Sequence, residues 1–142
     1  AHAAEEGPAW HVTEVLDVLG VERVDHGIRA LEDADVVDRL VRDQVPLTVC
    51  PVSNVRLQAV PSLAAHPLPA MLAAGLAVSL NSDDPAYFGG YVDEVDDAVT
   101  AAFGLTRDQR ADLAAASFRG SFLAPAQVAR HLAAVEEWRT AG

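Results

Sequence analysis

The sequence has 142 residues, 51% of them hydrophobic, enough for one globular domain with a real core and too apolar for a disordered chain. Its 10 basic residues are all arginine and face 21 acidic ones, a formal charge of −11 that argues against nucleic acid or any other polyanion as a partner. One cysteine, Cys50, rules out an internal disulfide, and no apolar run reaches the roughly 18 residues of a membrane span, so the expected location is the cytoplasm with no membrane partner.

Residues 7 to 19 carry Val12, Val15, Leu16 and Leu19 on one helical face, with Gly20 as the stop. "VERVDHG" then predicts a short strand ending at His26 and Gly27. "LEDADVVDRLVRD" is helical, its stripe formed by Val36, Val37, Leu40 and Val41 behind an acid-rich first turn. "PLTVC" predicts a buried strand closed by Pro51, and residues 51 to 65 predict a long loop. "PAMLAAG" is a short helix stopped by Gly75, and "LAVSLN" another buried strand. Beyond "FGGY", helices are expected near 92–103, 107–117 and 125–139. Thr106 and Gln109 form a capping box, and Pro125 sits at a helix start.

Helices and strands that alternate in this way give a parallel sheet with helical crossovers. In such folds ligands bind at the carboxyl ends of the strands. The polar residues cluster there: His26, Ser53 with Asn54, and the adjacent pair Asp83 and Asp84. His2 and Glu5 stand three apart at the start of the chain. An imidazole and a carboxylate can hold a divalent metal, and a second carboxylate and imidazole can manage protons.

"HAAEEGP", "RVDHGIR", "LTVCPVSNVRL", "HPLPAML" and "NSDDPAYFGGY" occur in the order found in the adenosine/adenine deaminase family, and "SFRGSFL" at 117 to 123 extends the likeness. The sequence resembles that family, and within it the adenine deaminase branch, because of Asp25, "SNVRL" and "DDPAYFGGY". The resemblance implies a (β/α)8 barrel that removes the 6-amino group of a purine with the help of zinc. It implies His2 and Asp83 as zinc ligands, Glu5 as the proton shuttle at purine N1, and His26 as the group that orients the attacking water. Asp84 would hold that water and purine N7, and Ser53 would be a hydrogen-bond partner behind a ligand. The adjacent charges of Asp83 and Asp84 are then compensated, one by a dication and the other by a proton donor.

Two departures stand out. The family has glycine where this sequence has Ala4, so a positive φ there would carry strain. The family also takes two zinc ligands from an H-x-H motif, and the five histidines here, at 2, 11, 26, 66 and 131, contain none. The expectation is therefore the C-terminal part of a single deaminase barrel domain, residues 1–142. It would supply about three parallel strands with crossover helices, the ligand end of one more strand, and a helical C-terminus, and would be inactive by itself. The reaction expected of the whole is adenine to hypoxanthine and ammonia. The alternatives are adenosine to inosine and, from another class, a non-catalytic remnant.

Cys50 lacks a base beside it in sequence and reads as a packed thiol, while His11 and His131 read as helix-surface or packing residues. His66, before Pro67, reads as structural. Trp10, Trp138, Phe118 and Phe122 read as helix packing, and Asp25 as a carboxylate that disfavours a sugar beside the pocket.

Overall fold

In a computed structural model that describes residues 1–141, four strands form one parallel sheet in the order β1-β2-β3-β4: β1 (His2–Ala3), β2 (Val24–His26), β3 (Leu47–Val49) and β4 (Val78–Leu80). Every neighbouring pair is parallel, and every connection carries a helix. Sequential order with helical crossovers is the arrangement of a barrel segment, since a doubly wound sheet would reverse direction along the order.

The helices are α1 (Trp10–Asp17), α2 (Ala34–Asp43), α3 (Pro51–Arg56), α4 (Leu68–Ala73), α5 (Pro85–Phe88), α6 (Val92–Phe103), α7 (Arg107–Arg119) and α8 (Pro125–Thr140). None of the described helices is long and apolar enough to cross a membrane. Residues 31–43 differ from the single helix expected of them. A 3-10 turn covers Ile28–Glu32, and α2 starts anew because the Asp33 carboxylate accepts the backbone N–H groups of Asp35 and Val36. The expected loop 51–65 is also wrong. Pro51 closes β3 and at once occupies the first turn of α3, where its missing N–H costs no hydrogen bond. At α7 the capping box forms as expected, Thr106 Oγ1 accepting from Gln109 N at 3.2 Å and Gln109 Oε1 from Thr106 N at 2.9 Å.

The register gives the sheet two unlike faces. Val24, Leu47 and Val78 lie side by side, and all three are buried with Val12, Leu40, Met71 and Val99 from the helices. The next row, His2, Asp25, Thr48 and Ser79, must point the other way, because side chains alternate along a strand. This row is polar throughout. Thr48 Oγ1 donates to Asp25 Oδ1 at 2.6 Å, and Asn81 Nδ2 donates to Ser79 Oγ at 3.0 Å. A polar row on this face suits a barrel lumen better than an apolar core layer.

At the far edge α7 packs on β4 and on α8. Trp10 and Phe122, expected to pack between helices, are 55% and 72% exposed. Trp138 lies under the Arg107 guanidinium, 4.2 Å from ring centroid to Cζ, which covers one ring face with a cation instead of core.

Candidate active site

All four strands end on the same edge, and each end delivers part of one polar cluster. β1 runs into Ala4 and Glu5, β2 stops on His26, β3 feeds Cys50 and α3, and β4 leads through Asn81 to Asp83 and Asp84. Three residues at these ends have left-handed backbone: Ala4 (φ 51), His26 (φ 64) and Asp83 (φ 59). None is glycine, so each costs on the order of 1 kcal/mol, a strain that concentrates at functional sites. Position 4 thus has the positive φ that favours the family glycine.

His26 is 1% exposed and forms the centre of the cluster. Its Nδ1 lies 3.4 Å from Glu5 Oε1, and its ring meets the His2 ring edge to face with centroids 4.9 Å apart. Burial pushes the His26 imidazolium below its ordinary pKa, against the opposing pull of the Glu5 charge. Ser53, fully buried on α3, donates from Oγ to Asp83 Oδ2 at 2.6 Å. Asp84 faces solvent, its Oδ1 accepting from Ala86 N at 3.0 Å and so capping α5.

Metal-capable atoms lie within 4.8 Å of one another in two groups, His2 with Glu5 and His26, and His26 with Cys50 and Asp83. His26 belongs to both, and so links the two expected ligands, His2 and Asp83. Imidazole nitrogen and carboxylate oxygen are borderline-to-hard donors that suit zinc, so the donor set fits that metal. Cys50 Sγ is held beside this set as a thiol. Burial, reinforced by the Asp83 and Glu5 charges, pushes its pKa up to about 12.

Two residues of the cluster carry no chemical role in the sequence reading, which placed Asn54 only among the strand-end polar residues and His66 only as structural. Asn54 is fully buried, and its Nδ2 lies 2.8 Å from Glu5 Oε1 and 3.2 Å from His26 Nδ1. His66, also buried, places Nε2 3.2 Å from Asn54 Oδ1. The sequence signal for them was a polar pair, "SN", directly after a buried strand, and a histidine in an otherwise apolar stretch. Asp25 is turned to Thr48 and, at 3.9 Å, to the Arg23 guanidinium.

Comparison with known proteins is consistent along the whole chain. The family model described as adenosine deaminase matches residues 1–138. An adenine deaminase of Streptomyces coelicolor is 60% identical over 141 residues, covering 98% of this chain and 42% of that protein. One from Caulobacter vibrioides is 55% identical over 141 residues, covering 99% of this chain and 41% of its own length. The crystal structure of an adenine deaminase from Arthrobacter aurescens superposes with a TM-score of 0.95 at 61% identity, over 97% of this chain and 42% of that one. An amidohydrolase from Burkholderia ambifaria, crystallised with bound zinc, follows at TM-score 0.88 and 25% identity, over 98% of this chain and 39% of that one. The chain therefore spans about 40% of the length of the relatives it matches. With its sheet a partial (β/α) barrel and the family model matched over residues 1–138, the chain belongs to the adenosine deaminase family.

Proposed function

We propose that residues 1–142 form the C-terminal part of a zinc-dependent adenine deaminase barrel, acting in the cytoplasm on free purine: adenine and water give hypoxanthine and ammonia. The observation that carries this reading is the joining of Glu5 and His26, 3.4 Å apart, to His2 and Asp83 at one sheet edge, in a chain 61% identical to a crystallised adenine deaminase.

In this reading His2 and Asp83 hold the metal, together with ligands that this chain does not contain. When bound, zinc supplies a water whose pKa falls to about 7. The chain's own residues do the rest. Glu5 hydrogen-bonds ring N1 and passes it a proton, which makes C6 electrophilic. The carboxylate so formed takes up one proton of the attacking water, delivers it to the leaving amino group, and is reprotonated by the other as the carbonyl forms. His26, buried beside Glu5, holds the attacking water against C6 through its ring nitrogen. Asp84 accepts a hydrogen bond from the substrate at the exposed rim. Ser53 fixes the carboxylate plane of Asp83.

The test is ammonia release from adenine and from adenosine by the complete zinc-loaded enzyme, with a chelator-treated control. Faster turnover of adenine, abolished by the chelator and restored by zinc, is expected. Faster turnover of adenosine would transfer the chemistry to the nucleoside, and no turnover of either would sink the reading.

A further inference from the structure

We infer that Asn54 and His66 are positioning residues, a hydrogen-bond relay that fixes the orientation of the Glu5 carboxylate and the tautomer of His26. The inference deepens the deaminase reading and rests on it for the roles of Glu5 and His26.

The relay can be followed from a backbone group whose polarity is certain. Leu68 N–H points at His66 Nδ1 at 3.0 Å, so Nδ1 is an acceptor and carries no proton. Burial holds His66 neutral, its pKa pushed down to about 4. A neutral imidazole with a bare Nδ1 has its proton on Nε2. That nitrogen therefore donates to Asn54 Oδ1, 3.2 Å away.

This bond decides which way the Asn54 amide faces. With Oδ1 turned to His66, the NH2 group must face the site, where it has two hydrogens and two partners. One is Glu5 Oε1 at 2.8 Å and the other is His26 Nδ1 at 3.2 Å. His26 Nδ1 is thus an acceptor as well, which leaves the His26 proton on Nε2. Without Asn54, Nδ1 would sit 3.4 Å from a carboxylate oxygen with no competing donor, and the proton would move to Nδ1 to face Glu5. The relay prevents that pairing, and keeps Glu5 and His26 from neutralising each other.

The relay also joins segments far apart in the chain. Asn54 lies 49 residues from Glu5, 28 from His26 and 12 from His66. It is anchored on α3, the helix that also carries Ser53, so one short helix steadies both the proton-handling pair and Asp83.

The experiment is nitrogen-15 NMR of histidine-labelled complete enzyme, with turnover of adenine measured in parallel. In the wild type, both His66 and His26 are expected as the Nε2–H tautomer. In Asn54→Ala, His26 is expected to change to Nδ1–H, and kcat to fall about 10- to 100-fold while KM stays within about threefold and zinc content is unchanged. His66→Gln, which keeps an N–H donor for Asn54 Oδ1, is expected to retain much more activity than His66→Ala. A wild-type His66 carrying its proton on Nδ1 would overturn the inference without any variant. So would an unchanged His26 tautomer or an unchanged kcat in Asn54→Ala. If the wild type turns over no purine, the functional reading fails, and the tautomers still decide the relay.

Discussion

Ser53 Oγ donates to Asp83 Oδ2 at 2.6 Å across 30 residues of sequence, from the buried start of α3 to the left-handed residue beyond β4. A carboxylate so held presents its other lone pairs in one direction, which is what a metal ligand requires. Ser53→Ala leaves Asp83 in place but free to rotate. Zinc affinity of the complete enzyme is expected to fall about 10- to 100-fold, the usual effect of removing a partner behind a ligand. Competition with a chromophoric chelator measures it, and an affinity equal to wild type would remove Asp83 from the ligand set or Ser53 from its support.

Glu5→Gln keeps the shape of the side chain and removes its basicity. Because Asn54 Nδ2 already donates to Glu5 Oε1, the variant amide can still accept there. Packing should therefore survive. kcat on adenine is expected to drop by about two to four orders of magnitude, as for loss of a general acid–base group, with bound zinc unchanged. A variant within tenfold of wild type would assign the proton work to another residue.

Three of the strands and most strand-end residues were legible because buried runs such as "LTVC" and "LAVSLN" stop abruptly at polar residues, whereas the barrel order of the strands followed only from the family resemblance. The C-terminal helices were legible from caps at Thr106 and Pro125. The segment after β3 was not. Pro51 ends a strand and starts a helix with equal ease, and treating it only as a terminator put Ser53 and Asn54 in a loop. As neighbours on a buried helix they reach different partners, Asp83 and Glu5. The His66 contact was illegible for another reason. A histidine before Pro67 has no local signature of a relay, and its partner is defined only once α3 and the turn before α4 pack together. The exposed Trp10 and Phe122 show the converse error, in which size and apolarity were taken for helix packing.

Gly27 follows His26 directly, with φ 65, and a Cβ there would stand 3.1 Å from Leu47 Cδ2. Gly104, at the end of α6, has φ 64 and nothing within 4 Å of its Cβ position. The pair separates backbone strain from crowding. Gly104→Ala is expected to cost about 1 kcal/mol from the left-handed backbone alone. Gly27→Ala should cost roughly 1 kcal/mol more, because Leu47 is fully buried and has little room to yield. Equal denaturation midpoints for the two variants would show that Leu47 adapts freely.

His66 gives the fold a defined response to acid. Its pKa is about 4 in the folded chain, because burial disfavours the imidazolium, against 6.5 for an unperturbed histidine. Between those values the unfolded chain binds more protons than the folded one, so stability must rise with pH across the window and fall as the solution is acidified. The contribution is complete above about pH 6.5 and is lost progressively down to about pH 4. The full difference is of the order of 3 kcal/mol at 1.36 kcal/mol per unit. His66→Gln removes the titration while keeping an N–H donor for Asn54. His26 is shifted in the same direction and titrates in both proteins, so the difference between them isolates His66. Guanidinium midpoints of wild type and variant, taken at intervals from pH 4 to pH 8, should converge as the pH falls, the wild type declining more steeply. Parallel curves would mean that His66 takes up its proton in the folded enzyme as readily as in the unfolded chain.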